Sequence, residues 1–248
     1  MSNQYNQLIN NLDDLKLSAF RLHLDTYIEL VNNGQKTVLE MLKELTDKEM
    51  EIKYKNSIHA FVRMANFPFQ KTMDDFDFGF QPSIRKEQIL DFKHQRFIEN
   101  RENILFIGSP GVGKTHLATA IGMEVAKSRK LVYFITCNEL VLQLKRAHME
   151  NNLEKRLKFF CKYKLLIIDE IGFTPLDRES AEILFQLISM RYEKTSTIIT
   201  TNKALSQWGE VFWDNVLANT ILDRLLHHAH VINIVGNSYR TKDIIDEL

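Results

Sequence analysis

Apolar residues recur at helical spacing through the first quarter of the chain. Leu8, Leu12, Leu15, Phe20, Leu24, Tyr27, Ile28 and Val31 follow steps of mostly three to five, the pattern of one buried helix face. Asn33-Gly34 ends this helix, because glycine accepts the left-handed cap conformation. Thr37-Val38-Leu39-Glu40 is a capping box that opens a second helix, with Val38, Met41, Leu42 and Leu45 along its apolar side. A third helical stretch is predicted over about residues 48–65. Together, residues 1–66 read as a small helical module that docks on a partner. Residues 67–82 form a connector punctuated by Pro68, Gly79 and Pro82 and crowded with Phe67, Phe69, Phe76, Phe78 and Phe80. A segment this aromatic is expected to pack on the next domain. Ser83 then caps a predicted helix running to about Asn100.

The pattern changes at Asn103. Five short apolar runs follow: Ile104–Ile107, Leu131–Ile135, Leu165–Ile168, Thr197–Thr200 and Val231–Ile234, with helical stretches between them. Apolar runs alternating with helices predict an α/β domain over 83–248, built on a parallel five-stranded sheet buried on both faces. Ligands of such sheets sit at the carboxyl ends of strands.

Composition narrows the class. The 248 residues carry 32 Lys+Arg and 32 Asp+Glu, so the chain has no net charge and no overall basic coat for nucleic acid. No run approaches the ~18 apolar residues of a membrane span. The N-terminus is polar, without a signal-peptide core. Two cysteines, Cys137 and Cys161, imply no disulfide framework and fit a cytoplasmic protein.

The strongest chemical signal is Gly108-Ser109-Pro110-Gly111-Val112-Gly113-Lys114-Thr115, a full G-x-x-x-x-G-K-[ST] match. It lies between the strand Ile104–Ile107 and a helix that starts near His116. Backbone N–H groups of such a loop and the helix N-terminus converge on phosphate oxygens. Lys114 reaches the β- and γ-phosphates, and the Thr115 hydroxyl ligates Mg²⁺. A second signal is Leu165-Leu166-Ile167-Ile168-Asp169-Glu170, four apolar residues ending in two carboxylates. Asp169 suits the Mg²⁺ shell and Glu170 the polarisation of an attacking water. Asn202 ends another strand and serves either a turn or the γ-phosphate and its water. In Asn202-Lys203-Ala204-Leu205, Leu205 stands where a guanine-reading aspartate is required, which favours ATP over GTP. Arg224, on an apolar helical face, and Arg240, after the last strand, are either structural ion-pair partners or stabilisers of γ-phosphoryl charge.

These residues in this order resemble the AAA+ ATPases of the initiator and helicase-loader branch, above all the IstB-like transposition helpers of insertion sequences, with the DnaC-like loaders as near relatives. The resemblance implies that Gly108–Thr115, continuing into His116, is Walker A, that Asp169 and Glu170 are Walker B, and that Asn202 is sensor 1. It makes Arg224 an arginine finger acting on a neighbouring subunit and Arg240 the sensor 2 arginine. It further implies ATP and Mg²⁺ as cofactors, a homo-oligomer on duplex DNA, a transposase partner, a short C-terminal lid, and a connector near Phe76–Phe80 that covers the adenine.

Lys145, Arg146, Lys155, Arg156, Lys158, Lys162 and Lys164 share the window 139–164 with three glutamates, for a local charge of +4. This stretch is either a salt-sensitive DNA grip or a solvated helix face. His227, His228 and His230 lack a cysteine or acid neighbour in sequence and read as a surface helix end. Trp208 and Trp213 read as packing residues. The leading expectation is an ATP-hydrolysing transposition helper. A helicase loader, a small-molecule P-loop kinase and a nucleotide-gated scaffold are the competing readings.

Overall fold

The computed structural model describes residues 3–241. The chain divides into two compact units, residues 1–60 and 61–248. The C-terminal end of the expected lid lies outside the described residues. After the last strand, the described chain holds one 3₁₀ turn, Tyr239–Thr241.

The first unit is built from α1 (Asn3–Asp14), α2 (Ser18–Asn32) and most of α3 (Val38–Met64). Leu12, Leu24, Tyr27 and Leu45 form its centre. The apolar stripe that predicts one helix up to Asn33 is in fact cut in two. Lys16 is left-handed, with φ 54°. Leu17 N donates to Leu12 O and Lys16 N to Asp13 O, the two bonds of a Schellman stop. The break leaves Leu15 exposed. The start of α2 has no local cap. Glu49 from α3 supplies one, its buried carboxylate accepting from Ala19 N at 2.8 Å and Phe20 N at 3.1 Å. The Thr37–Glu40 capping box forms as expected, each residue bonding the other's backbone N–H. It opens a single helix, α3, where two stretches are expected.

The second unit is three-layered. Its sheet has the order β2-β3-β4-β1-β5, where β1 is Asn103–Gly108, β2 Val132–Thr136, β3 Leu165–Ile171, β4 Ser196–Thr201 and β5 Ala229–Ile234. All four pairings are parallel. The runs in β1 to β4 feed both faces, as covered parallel strands require, whereas the edge strand β5 buries Ile232 and Ile234 on one face and leaves Val231 and Asn233 exposed. Ile104, Phe106, Ile167 and Ile198 pack under α6 (Lys114–Lys127). Leu105, Leu166, Ile168 and Ile199 face α7 (Cys137–Met149), α9 (Arg178–Arg191) and α11 (Asn215–Leu226). The short helices α8 (Leu153–Cys161) and α10 (Trp208–Val211) complete that second layer.

The expected helix from Ser83 to Asn100 is broken into α4 (Lys86–Asp91), a 3₁₀ turn and α5 (Arg96–Glu99). Gln95 is left-handed at the break, and its side chain bonds Glu124 O, Ser128 Oγ and Lys130 Nζ. Ser83 does not cap; its Oγ accepts from Val235 N. Trp208 is fully buried, whereas Trp213 is exposed with φ 63°, so only the first is a packing residue. No helix among the described residues is long and apolar enough to cross a membrane.

Candidate functional site

A cavity of about 580 Å³ opens at the carboxyl ends of β1, β3 and β4. β1 lies between β4 and β5, so the loop that follows it emerges at the middle of the sheet. Pro110 to His116 line the cavity, with Asp169, Glu170, Thr200, Asn202 and Arg240. The Gly108 and Ser109 carbonyls accept from Lys114 Nζ at 2.8 and 2.7 Å. Arg224 lies elsewhere, on α11. It donates to Ser189 Oγ, and its guanidinium stacks 4.5 Å from the Phe185 ring.

The loop's shape depends on two glycines. Gly111 has φ 82° and Gly113 φ 98°. A β-carbon at Gly111 would sit 2.0 Å from Ser238 Oγ, and one at Gly113 would sit 2.4 Å from Phe76. The loop is therefore held between the connector and the segment after β5. Tyr239 N donates to Gly111 O, and Gln81 Nε2 donates to Asn237 O. Phe76 also packs edge-on against His116. His116 Nε2 is 2.8 Å from Thr72 O, and a carbonyl only accepts, so Nε2 carries the proton. Burial holds His116 below the usual histidine range.

Asp169 and Glu170 are neighbours on a strand, where successive side chains point to opposite faces. Both nevertheless line one cavity. The cause is a bulge. Ile168 pairs with Ile199 and Ile171 with Thr201, which gives β3 one residue more than β4. Glu170 absorbs it with φ 63°, a costly conformation for a non-glycine residue. Thr200 fixes the bulge. Its fully buried hydroxyl donates to Asp169 Oδ1 at 2.5 Å and accepts from Glu170 N at 2.9 Å. Thr115 Oγ1 lies 3.0 and 3.1 Å from the two Asp169 oxygens. Burial raises the Asp169 carboxyl above its usual range, against the pull of the Thr200 and Thr115 hydrogen bonds. Burial likewise lowers Lys114, and the carboxylates of Asp169 and Glu170 oppose that shift.

The donor set fits a triphosphate with a hard divalent ion. Hydroxyl and carboxylate oxygens at Thr115 and Asp169 are Mg²⁺ ligands by type. The two side-chain-free positions let backbone N–H groups approach phosphate oxygens. A sequence profile of the IstB-like ATP binding protein family matches residues 10–246. The chain belongs to this family. Insertion-sequence proteins match it along almost its full length. It is 55% identical to the IS232 protein of Bacillus thuringiensis subsp. berliner over 243 residues, 98% of this chain and 97% of that one. It is 38% identical to the IS21 protein of Pseudomonas aeruginosa, with 94% and 88% covered. Among solved structures, the DnaC helicase loader is similar with a TM-score of 0.53 and 28% identity, covering 60% of this chain and 88% of that one. AMPPCP-bound DnaA from Aquifex aeolicus shares the fold, with a TM-score of 0.57 at 20% identity, covering 74% of this chain and 56% of that one. The IstB-like chain thus has the AAA+ α/β fold.

The basic residues of the window 139–164 separate in space. Arg146, Lys155 and Arg156 line a shallow groove of about 450 Å³ with Phe159. Arg156 stacks 4.4 Å from the Phe159 ring, and Arg146 lies 3.7 Å from Glu150. Lys145 turns away to α9, 2.6 Å from Asp177, and Lys158 pairs with Glu154 on its own helix. Thr200 is a site residue that the sequence does not reveal, because it reads as an ordinary strand position, and Gln81 and Tyr239 join the cavity lining with no motif to mark them.

Proposed function

We propose that this IstB-like chain binds and hydrolyses ATP with Mg²⁺ and, in the cytoplasm, assembles on duplex DNA as a homo-oligomer that prepares target sites and stimulates the transposase of its insertion sequence. The observation that carries this reading is the convergence of Lys114, Thr115, Asp169, Glu170, Asn202 and Arg240 on the cavity around the glycine loop. The relatives support it, since their names make them ATP-binding proteins of insertion sequences.

In this reading the loop N–H groups and Lys114 bind the phosphates. Thr115 and Asp169 would hold Mg²⁺, which would supply charge neutralisation for the phosphates. Glu170 orients and polarises the attacking water, and Asn202 hydrogen-bonds the same region. Arg240 meets the γ-phosphate from this chain, and Arg224 meets that of a neighbouring subunit. The position of Arg224 outside its own chain's cavity supports that division. The groove at Arg146, Lys155 and Arg156 takes the DNA backbone.

Phosphate release by the full chain, measured with and without linear duplex DNA, tests the reading. Turnover is expected to rise with DNA, to vanish in Lys114→Ala, and to produce no phosphorylated acceptor. Arg224→Ala and Glu170→Gln are each expected to be inactive alone. Their mixture should regain turnover, because each supplies what the other lacks. A mixture that stays inactive removes the trans role of Arg224. A helicase-loader reading rests on the likeness to DnaC, and stimulation by a replicative helicase in place of a transposase would favour it.

A further inference from the structure

The fold gathers three metal-ligating side chains at the end of the sheet away from the phosphate loop. Glu193 lies in the turn after α9, His227 caps α11, and His228 leads into β5. In sequence the histidines have no acidic neighbour, and the fold corrects that picture. Glu193 Oε1 is 3.6 Å from His227 Nδ1 and 3.9 Å from His228 Nε2. All three donor atoms lie within 4.8 Å of one another. A tetrahedral ion with bonds of about 2.0–2.1 Å needs its ligand atoms about 3.3–3.4 Å apart. Each imidazole therefore has to approach the carboxylate by about half an ångström, and the two imidazole nitrogens each other by up to about 1.5 Å, a rearrangement that exposed side chains can make by rotation.

The backbone beneath these side chains is fixed. His228 O accepts from Asn103 N at 2.7 Å, at the start of β1. Glu193 O accepts from Arg101 Nη1 at 3.2 Å. The Tyr192 hydroxyl, 2.8 Å from His227 Nδ1, orients that ring, and an ion bound at Nδ1 would have to displace it. His230 does not join the cluster, because it pairs with Glu102.

We infer that Glu193, His227 and His228 form a binding site for a zinc-class divalent ion that staples the C-terminal end of α9 to that of α11. Two imidazoles and one carboxylate select Zn²⁺ over Mg²⁺, which takes oxygen ligands almost exclusively. Three protein ligands leave a fourth position for water. The same two helices hold Arg224, whose guanidinium bonds Ser189 and stacks on Phe185 of α9. An ion at this site sets the pairing of α9 and α11 from which Arg224 projects.

The test is titration of the chelator-stripped full chain with ZnCl₂ under excess Mg²⁺, read by competition with a chromophoric chelator. One Zn²⁺ per chain is expected. His228→Ala and Glu193→Gln should each weaken it about tenfold or more, and His230→Ala should leave it within about twofold. Co²⁺ in place of Zn²⁺ should give the intense visible absorption of a tetrahedral site. Thermal melts of the metal-free His228→Ala and Glu193→Gln variants, both at exposed positions, should match the parent. Absence of stoichiometric binding, absence of the Co²⁺ signature, or binding that survives either ligand substitution overturns the site.

Discussion

Glu170 is held in an unfavourable backbone conformation by one hydroxyl. Thr200 Oγ1 spends its proton on Asp169 and its lone pair on the Glu170 N–H. The two carboxylates of the site therefore share one support, which sits on a different strand. Thr200→Val keeps the shape and deletes both bonds. We expect kcat for ATP hydrolysis to fall about 10–100-fold, the range seen when a supporting hydrogen bond around a metal ligand is lost. Nucleotide affinity should change far less, because the phosphate loop is untouched. Thr200→Ser should restore most of the rate. Equal losses in both variants would reduce Thr200 to a packing residue. None of this is legible in the sequence, where Thr200 ends an apolar run like any strand residue. That Lys114, Thr115 and Asp169 gather at one cavity was legible, because a glycine loop after one parallel strand and an acid at the end of another both lie at the carboxyl edge of the sheet.

At the scale of elements, short runs rich in apolar and β-branched residues located all five strands, including β4, which is buried throughout although four of its six residues are Ser or Thr, and the edge strand β5, which is buried on one face. Helix boundaries followed less well, because distant residues set them. Gln95 interrupts its helix through bonds to Glu124, Ser128 and Lys130. The start of α2 depends on Glu49, 30 residues beyond Ala19 and buried within α3. This carboxylate does the work usually done by a serine or aspartate at the cap position itself. Glu49→Ala leaves two helix N–H groups without an acceptor and should cost about 1–2 kcal/mol. Urea denaturation of the full chain, followed by helical circular dichroism, would show it as a lower midpoint. An unchanged midpoint would mean that water replaces the carboxylate without loss.

Across the whole molecule, charge is balanced in total and uneven in place. The window 139–164 carries +4 and the remainder −4. Folding divides that window again, sending Lys145 to Asp177 and leaving Arg146, Lys155 and Arg156 around one groove. If the groove contacts DNA phosphates, Lys155→Ala should reduce the slope of log affinity against log salt by about 1. Lys145→Ala should leave that slope unchanged. The reverse result would place the DNA path on α9's side of α7. Sequence alone lists these cations as one patch, because the ion pair to Asp177 spans helix α8 and strand β3.

Ser238 fills the space that a side chain at Gly111 would need, Tyr239 anchors the Gly111 carbonyl, and Gln81 ties Asn237 to the connector. These late residues emerge from the ribosome long after the glycine loop itself. A nascent chain has the loop but lacks its outer wall. A chain that stops before Asn237 should therefore hold an adenine nucleotide more weakly than one that includes Asn237 to Tyr239, which a binding titration of the two would show.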